Sequence, residues 1–133
     1  MKLCITASGS EANDKIDPRF GRCLYFLFYD SQTDSYKAVK NKAAAASHGA
    51  GIEASRLVTE ESPEAVITGN IGPNAANVLK ASSLDIYSVR EGTVAEVVGK
   101  YKAGKLKKID SATVPGHFGL KRNVQKPGSK KEQ

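Results

Sequence analysis

Three glycine-marked turns hold the side chains best suited to bind something. They are Asp17-Pro18-Arg19-Phe20-Gly21-Arg22-Cys23, Ser47-His48-Gly49-Ala50-Gly51 and Gly69-Asn70-Ile71-Gly72-Pro73-Asn74. Arg19 and Arg22 flank Phe20-Gly21. Pro18 stiffens that loop and Gly21 lets it turn tightly. A guanidinium held this way meets an anion with little entropy left to lose, although the same arginines can pair with Asp14 or Asp17. Gly49 and Gly51 open a helical pattern, where successive N–H groups form an anion nest. His48 adds a neutral imidazole or a cationic donor. No Gly-Lys-Ser/Thr follows, so this is not a P-loop, and a plain helix start beside an exposed histidine fits the same residues. The Asn70 turn offers either ordinary turn chemistry or a second row of N–H donors. Cys23 follows Arg22, where a thiolate would be stabilised. Cys4 lies mid-strand and reads as a small hydrophobe. The candidate binding residues are therefore Arg19, Arg22, Cys23, His48, Gly49, Gly51 and Asn70, with His48 and Cys23 as candidate metal ligands. This mixed cationic and soft set suits an anionic, sulfur-rich ligand and does not suit acid–base catalysis.

The elements that must position these turns read from the hydrophobic pattern. Residues 2–7 form a strand. Cys23–Asp30 is an aromatic-rich strand buried on both faces, and Ser35–Lys40 pairs back on it as an edge strand. Asn41–Ser47 is either extended or a loose helical approach. Ile52, Ala54, Ser55, Leu57 and Val58 recur at helical spacing. Ala65–Thr68 is a buried strand, and Pro73 starts a helix at the position where its missing N–H costs nothing. Leu84–Val89 is a further strand. Thr93 and Glu96 form a capping box for a last helix, which Gly104 stops. Leu106–Ile109 has the look of a short final strand.

The order β-β-β-α-β-α-β-α predicts an antiparallel meander followed by right-handed parallel units. The expected fold is α/β: a five-stranded mixed sheet of order 3-2-1-4-5, strand 2 antiparallel, helices on both faces, as in ribonuclease H-like proteins. Strands 1, 3 and 4 then end on one edge. Arg22, Cys23, His48, Gly49 and Asn70 should meet there around one crevice, with Cys4 set back in the sheet.

The chain has 133 residues and a net charge of +6. That length suits one domain, here residues 1–110, followed by a basic, flexible segment over 111–133. From Lys121 onward five Lys/Arg face one Glu, so four of the six net charges lie there. A nucleic-acid role argued from the basic balance alone is weak for that reason. No apolar run is long enough to span a bilayer and the first residues do not read as a signal peptide, so the expected location is cytoplasmic. Two Cys and two His could in number make a zinc site, but Cys4, Cys23, His48 and His117 lack the paired spacing of one. His117 reads as part of the tail. The first and fourth strands carry no carboxylate, which argues against a two-metal nuclease.

The three turns, in this order and spacing, resemble the dinitrogenase iron–molybdenum cofactor biosynthesis family, which includes NifX-like proteins and the C-terminal region of NifB. The resemblance covers about residues 1–108 and rests on Asp17–Cys23, His48–Gly51 and Ile71-Gly72-Pro73-Asn74-Ala75. It implies a ribonuclease H-like fold without nuclease acids. It also implies a non-enzymatic protein that carries an iron–molybdenum or iron–sulfur cluster, or its precursor, between donor and recipient proteins. Stable ligation of an iron–sulfur cluster takes about four cysteines, so transient carriage suits a chain with two. An interaction module using the basic tail on an acidic partner or nucleic acid is the alternative.

Overall fold

The computed structural model describes residues 1–115. Its sheet has six strands: β1 (Lys2–Ala7), β2 (Tyr25–Asp30), β3 (Ser35–Lys40), β4 (Ala65–Thr68), β5 (Asp85–Ser88) and β6 (Lys107–Ile109). The spatial order is β3-β2-β1-β4-β5-β6. β2 runs antiparallel to β1 and β3, β4 and β5 continue β1 in parallel, and β6 returns antiparallel to β5. The expected 3-2-1-4-5 order is thus present, and Leu106–Ile109 supplies the short sixth strand. β2 starts at Tyr25 rather than Cys23, because the chain is still turning at Cys23 and Leu24.

Three helices cover the sheet: α1 (Ala50–Thr59), α2 (Pro73–Ala81) and α3 (Val94–Lys102). A single 3-10 turn, Lys42–Ala45, leads into α1 and resolves the open reading of that segment. α1 and α2 share one face: Ala54, Val58, Ala76 and Leu79 pack with Cys4, Phe26, Phe28, Val66 and Ile86. α3 covers the other, where Val94, Val97 and Val98 meet Leu3, Ile5, Leu27 and Ile67. β1 is buried from Leu3 to Ala7, as a central strand sandwiched between two helical layers must be. The βα connections leave from the C-terminal ends of β3, β4 and β5, so all three helices begin on one edge of the sheet.

The chain beyond β6 does not leave the body at residue 110. Thr113 N–H donates to the Ile71 carbonyl at 2.9 Å, and Ile71 N–H donates to Thr113 Oγ1 at 2.8 Å. Residues 111–115 therefore strap the turn between β4 and α2, where a free tail was expected. His117 and the rest of the expected tail lie outside the described residues.

Candidate anion site at the starts of helices α1 and α2

The loop from Ser8 to Arg22 crosses the strand ends and is nailed down at each step. Ile16 N–H donates to Gly92 O at 2.9 Å, and Asp17 N–H to Thr6 O at 2.9 Å. Thr6 Oγ1 lies 2.6 Å from Asp17 O and 2.9 Å from Thr68 Oγ1. Both threonines are buried, so this hydroxyl pair ties the loop to the ends of β1 and β4. The loop then meets the Asn70 turn. Asn70 N–H donates to Pro18 O at 2.6 Å and Phe20 N–H to Asn70 O at 3.1 Å. Gly69 permits this approach: a Cβ there would lie 2.7 Å from Pro18 Cα.

The two arginines have different settings. Arg19 is clamped by Asp17, whose carboxylate accepts from the Arg19 backbone N–H (3.0 Å), Nε (3.2 Å) and Nη2 (3.1 Å). Asp17 is buried while the guanidinium is half exposed. Arg19 is therefore a locally compensated charge, its pairing with Asp17 being the alternative that the sequence left open. Arg22 reaches across to the approach of α1, where Nη1 donates to Ala44 O (2.9 Å) and Ala46 O (2.6 Å). It has no carboxylate partner among the described residues. Asn41 holds the same turn from beneath, donating from Nδ2 to Gly21 O (3.1 Å) and Cys23 O (2.8 Å).

This clamping seats Gly21 against α1. A Cβ on Gly21 would lie 3.2 Å from Gly51 N and Cα, and one on Gly51 would lie 3.4 Å from Ala75 Cβ. Gly21, the first turn of α1 and the first turn of α2 thus touch one another. Gly49 is the α1 N-cap at φ 72°, a left-handed conformation that favours glycine. Neither α1 nor α2 has a side-chain cap. The N–H groups of Ala50, Gly51 and Ile52, and of Asn74 and Ala75, find no acceptor among the described residues. Ala50 and Ala75 are nonetheless buried residues, at 8% and 3% exposure, and buried N–H groups are ordinarily paired.

α3 shows the contrast. Its Val94 N–H donates to Asp14 O, Ala95 N–H to Ala12 O, and Glu96 N–H to Thr93 Oγ1 in the expected capping box. Among the described residues, one helix start is closed by its own loop and two adjacent ones are left open. Two parallel macrodipoles ending side by side, with Arg22 beside them, favour an anion there. A separate open depression runs along α3, lined by Lys15, Lys100 and Lys105 together with Glu91 and Glu96. Its mixed charges and satisfied helix start give it no comparable preference.

His48 is exposed, directly before Gly49 on the same edge. Asn70 lies at the same junction through its pairing with Pro18 and Phe20. Cys4 sits within the sheet, fully buried opposite Phe28 and Val66. Cys23 departs from expectation. It is fully buried among core side chains, and its thiol lies 3.4 Å from Phe20 O. Burial foremost, then the Asp17 charge, pushes that thiol up to about 12. Its burial favours a neutral core thiol over a thiolate steadied by Arg22. Among the described residues no group of three or more His, Cys, Asp or Glu could hold a metal ion. The donors present fit an anion held by hydrogen bonds and charge. Thr6, Thr68, Asn41 and Thr113 carry the geometry without any motif in the sequence. Only Asn41, a capping-type residue just before a turn, left a readable signal.

No helix among the described residues is long and apolar enough to cross a membrane. The family model described as dinitrogenase iron-molybdenum cofactor matches residues 1–104. An uncharacterised protein of Methanocaldococcus jannaschii is 30% identical over 101 residues, covering 74% of this chain and 86% of its own. Among solved structures, the apo form of the orange protein from Desulfovibrio gigas superposes with a TM-score of 0.82 at 29% identity. It covers 85% of this chain and 96% of its own. A candidate NifB protein from Thermotoga superposes at 0.76 with 28% identity, over 85% and 97%. The chain belongs to the dinitrogenase iron–molybdenum cofactor family.

Proposed function

We propose that this protein is a non-enzymatic carrier that holds an anionic metal–sulfur cluster, or its precursor, by hydrogen bonds at the joined starts of α1 and α2. It would accept this cargo from a donor protein and pass it to a recipient. The observation that carries the reading is the pair of uncapped helix starts touching at Gly51 and Ala75. Family membership supports a metal–sulfur cargo, whose sulfides accept N–H hydrogen bonds and whose charge matches the positive helix ends. Arg22 supplies a cation, His48 and Asn70 border the site, and Gly49 and Gly51 let the cargo approach the backbone. Arg19, already paired with Asp17, contributes mainly by fixing the loop. Holding without thiolate ligation suits release, because no metal–ligand bond within the carrier must break.

The test is anaerobic titration of the apo-protein with tetrathiomolybdate, a molybdenum–sulfide dianion, followed by visible absorption. Saturable binding that weakens in Arg22→Gln and His48→Ala and persists in Cys23→Ala supports the reading. Absence of binding, or equal affinity in all four proteins, refutes the site.

A further inference from the structure

The chain between β4 and α2 is held from both sides. On one side Asn70 N–H donates to Pro18 O, and Asn70 O accepts from Phe20 N–H. On the other, Ile71 N–H donates to Thr113 Oγ1 at 2.8 Å, and Ile71 O accepts from Thr113 N–H at 2.9 Å. Four successive backbone groups thus find partners, as they would in an inner strand. The Asn70 bonds belong to a parallel bridge between Arg19 and Asn70. The Ile71 pair is different: a side-chain hydroxyl takes the place that a strand carbonyl would hold.

Thr113 lies beyond the family match, which ends at residue 104. Ala112 packs against the core cluster beneath α1 and α2, and Val114 N–H adds a longer bond of 3.4 Å to Ile71 O. Thr113 itself is exposed, so its side chain fills no space in the core. What it supplies is the hydroxyl. Ile71 is fully buried, and a buried N–H that loses its acceptor is costly.

The open donors of α2 follow at once. Gly72 is the N-cap and makes no side-chain bond, Pro73 has no N–H, and Asn74 and Ala75 carry free ones. A first turn without a cap is not held by its own helix. Its direction is set by the residues before it, and Ile71 is the last of these with a fixed backbone. Were Ile71 to loosen, the Asn74 and Ala75 N–H groups would swing relative to Gly51 of α1, on which Ala75 is seated. Hydrogen bonds weaken steeply off line, so an anion shared by two helix starts needs both sets of donors aimed at one point. A turn fixed before the anion arrives also has less ordering entropy left to lose.

We infer that Thr113 is a positioning residue of the anion site, its hydroxyl fixing Ile71 and so aiming the N–H groups of the first turn of α2. This deepens the carrier reading and rests on it. Thr113 does not touch the cargo. It acts through Ile71, on the α2 half of the site and not on the α1 half.

The experiment uses the full chain, Thr113→Val, which keeps the shape and removes the hydroxyl, Thr113→Ser, which keeps the hydroxyl, and Thr93→Ala, which weakens α3 far from the site. Tetrathiomolybdate is titrated into each nitrogen-15-labelled protein and read by visible absorption and amide shifts, with urea midpoints measured alongside. Thr113→Val should bind the anion about fivefold more weakly, the fold-change of one lost hydrogen bond. Its loss of anion-induced shift should centre on Asn74 and Ala75, with Ala50, Gly51 and Ile52 less affected. Thr113→Ser should restore both readouts. Thr93→Ala should match the parent in affinity despite its lower urea midpoint, which separates positioning from general destabilisation. Parental affinity and parental Asn74 and Ala75 shifts in Thr113→Val, whatever its urea midpoint, would overturn the role of Thr113 and leave the site reading intact. Thr113→Ser as weak as Thr113→Val would overturn the role of the hydroxyl. A parent protein whose α1 and α2 amides do not respond to the anion would overturn the site reading, and the role of Thr113 with it.

Discussion

Gly69→Ala should unfasten the site at its central joint. The added Cβ would lie 2.7 Å from both Cα and Cβ of Pro18 and 3.0 Å from Pro18 O. Carbon–carbon contacts are comfortable at 3.5–4.0 Å, so the Pro18 backbone must retreat by about 0.8 Å or more. It cannot rotate aside, because the proline ring is fixed, its own carbonyl accepts from Asn70 N–H, and its neighbours are held, Asp17 N–H by Thr6 O and Arg19 N–H by the Asp17 carboxylate. Overpacking of this kind costs about 1–3 kcal/mol. Weakening the two Asn70 hydrogen bonds adds about 1 kcal/mol. The total is about 2–4 kcal/mol, which should lower the urea midpoint by about 1–2 M at an ordinary denaturant slope. Tetrathiomolybdate affinity should fall as well, since Arg22 and Gly21 are carried on the displaced loop. Gly99→Ala is the control: a Cβ there meets nothing within 4 Å on an exposed helix, and the change should stabilise by about 0.5–1 kcal/mol. A Gly69→Ala protein with wild-type urea midpoint and wild-type anion affinity would refute the claim that the loop and the Asn70 turn must dock closely.

Other expectations rest on the same geometry. Both cysteine thiols are raised, Cys23 to about 12 and Cys4 well above its ordinary value, burial being the largest cause in each. Such groups keep their proton in the folded chain and lose it in the unfolded one above about pH 9. Stability is therefore intact below that pH and lost as pH rises toward 12, at about 1.4 kcal/mol per pH unit for each thiol. Urea midpoints across pH 8–11 should show a shallower decline in Cys23→Ala than in the parent. Arg22→Gln should cost about 1 kcal/mol of anion binding at low salt, read by titration, and little stability, since its bonds to Ala44 and Ala46 are exposed. Thr93→Ala should cost about 1 kcal/mol by breaking the capping box of α3, read by thermal unfolding, and leave anion affinity unchanged.

The fold was legible because local signals agreed with one another. Pro73 at a helix start, the Thr93–Glu96 box and the Gly104 stop all hold, and the short turn between β2 and β3 forced the meander. β6 was visible as Leu106–Ile109 but not its place, since three residues at a sheet edge owe their position to pairing with β5 rather than to any pattern of their own. The meeting of the loop, the α1 approach and the Asn70 turn could be reasoned from strand direction alone. What the sequence could not show was burial at the level of single side chains. Cys23 sits next to an arginine in sequence, yet Arg22 points to Ala44 and Ala46 while Cys23 turns into the core. Adjacent residues at a turn face opposite ways, and only tertiary packing decides which one is inside. The pairing of Thr113 with Ile71 was hidden for a related reason: a few hydrogen bonds to a distant turn leave no trace in composition, so a Pro-, Gly- and Ser-bearing stretch read as free chain.

The central claim is that open N–H groups of α1 and α2 hold the anion, and amide chemical-shift mapping tests it most directly. Tetrathiomolybdate added to the nitrogen-15-labelled protein should shift the amides of Ala50, Gly51, Ile52, Asn74 and Ala75 together, along one saturation curve, with Val94 and Ala95 of the capped α3 unmoved. Shifts centred on Lys100 and Lys105 along α3, or confined to residues after 115, would contradict the account.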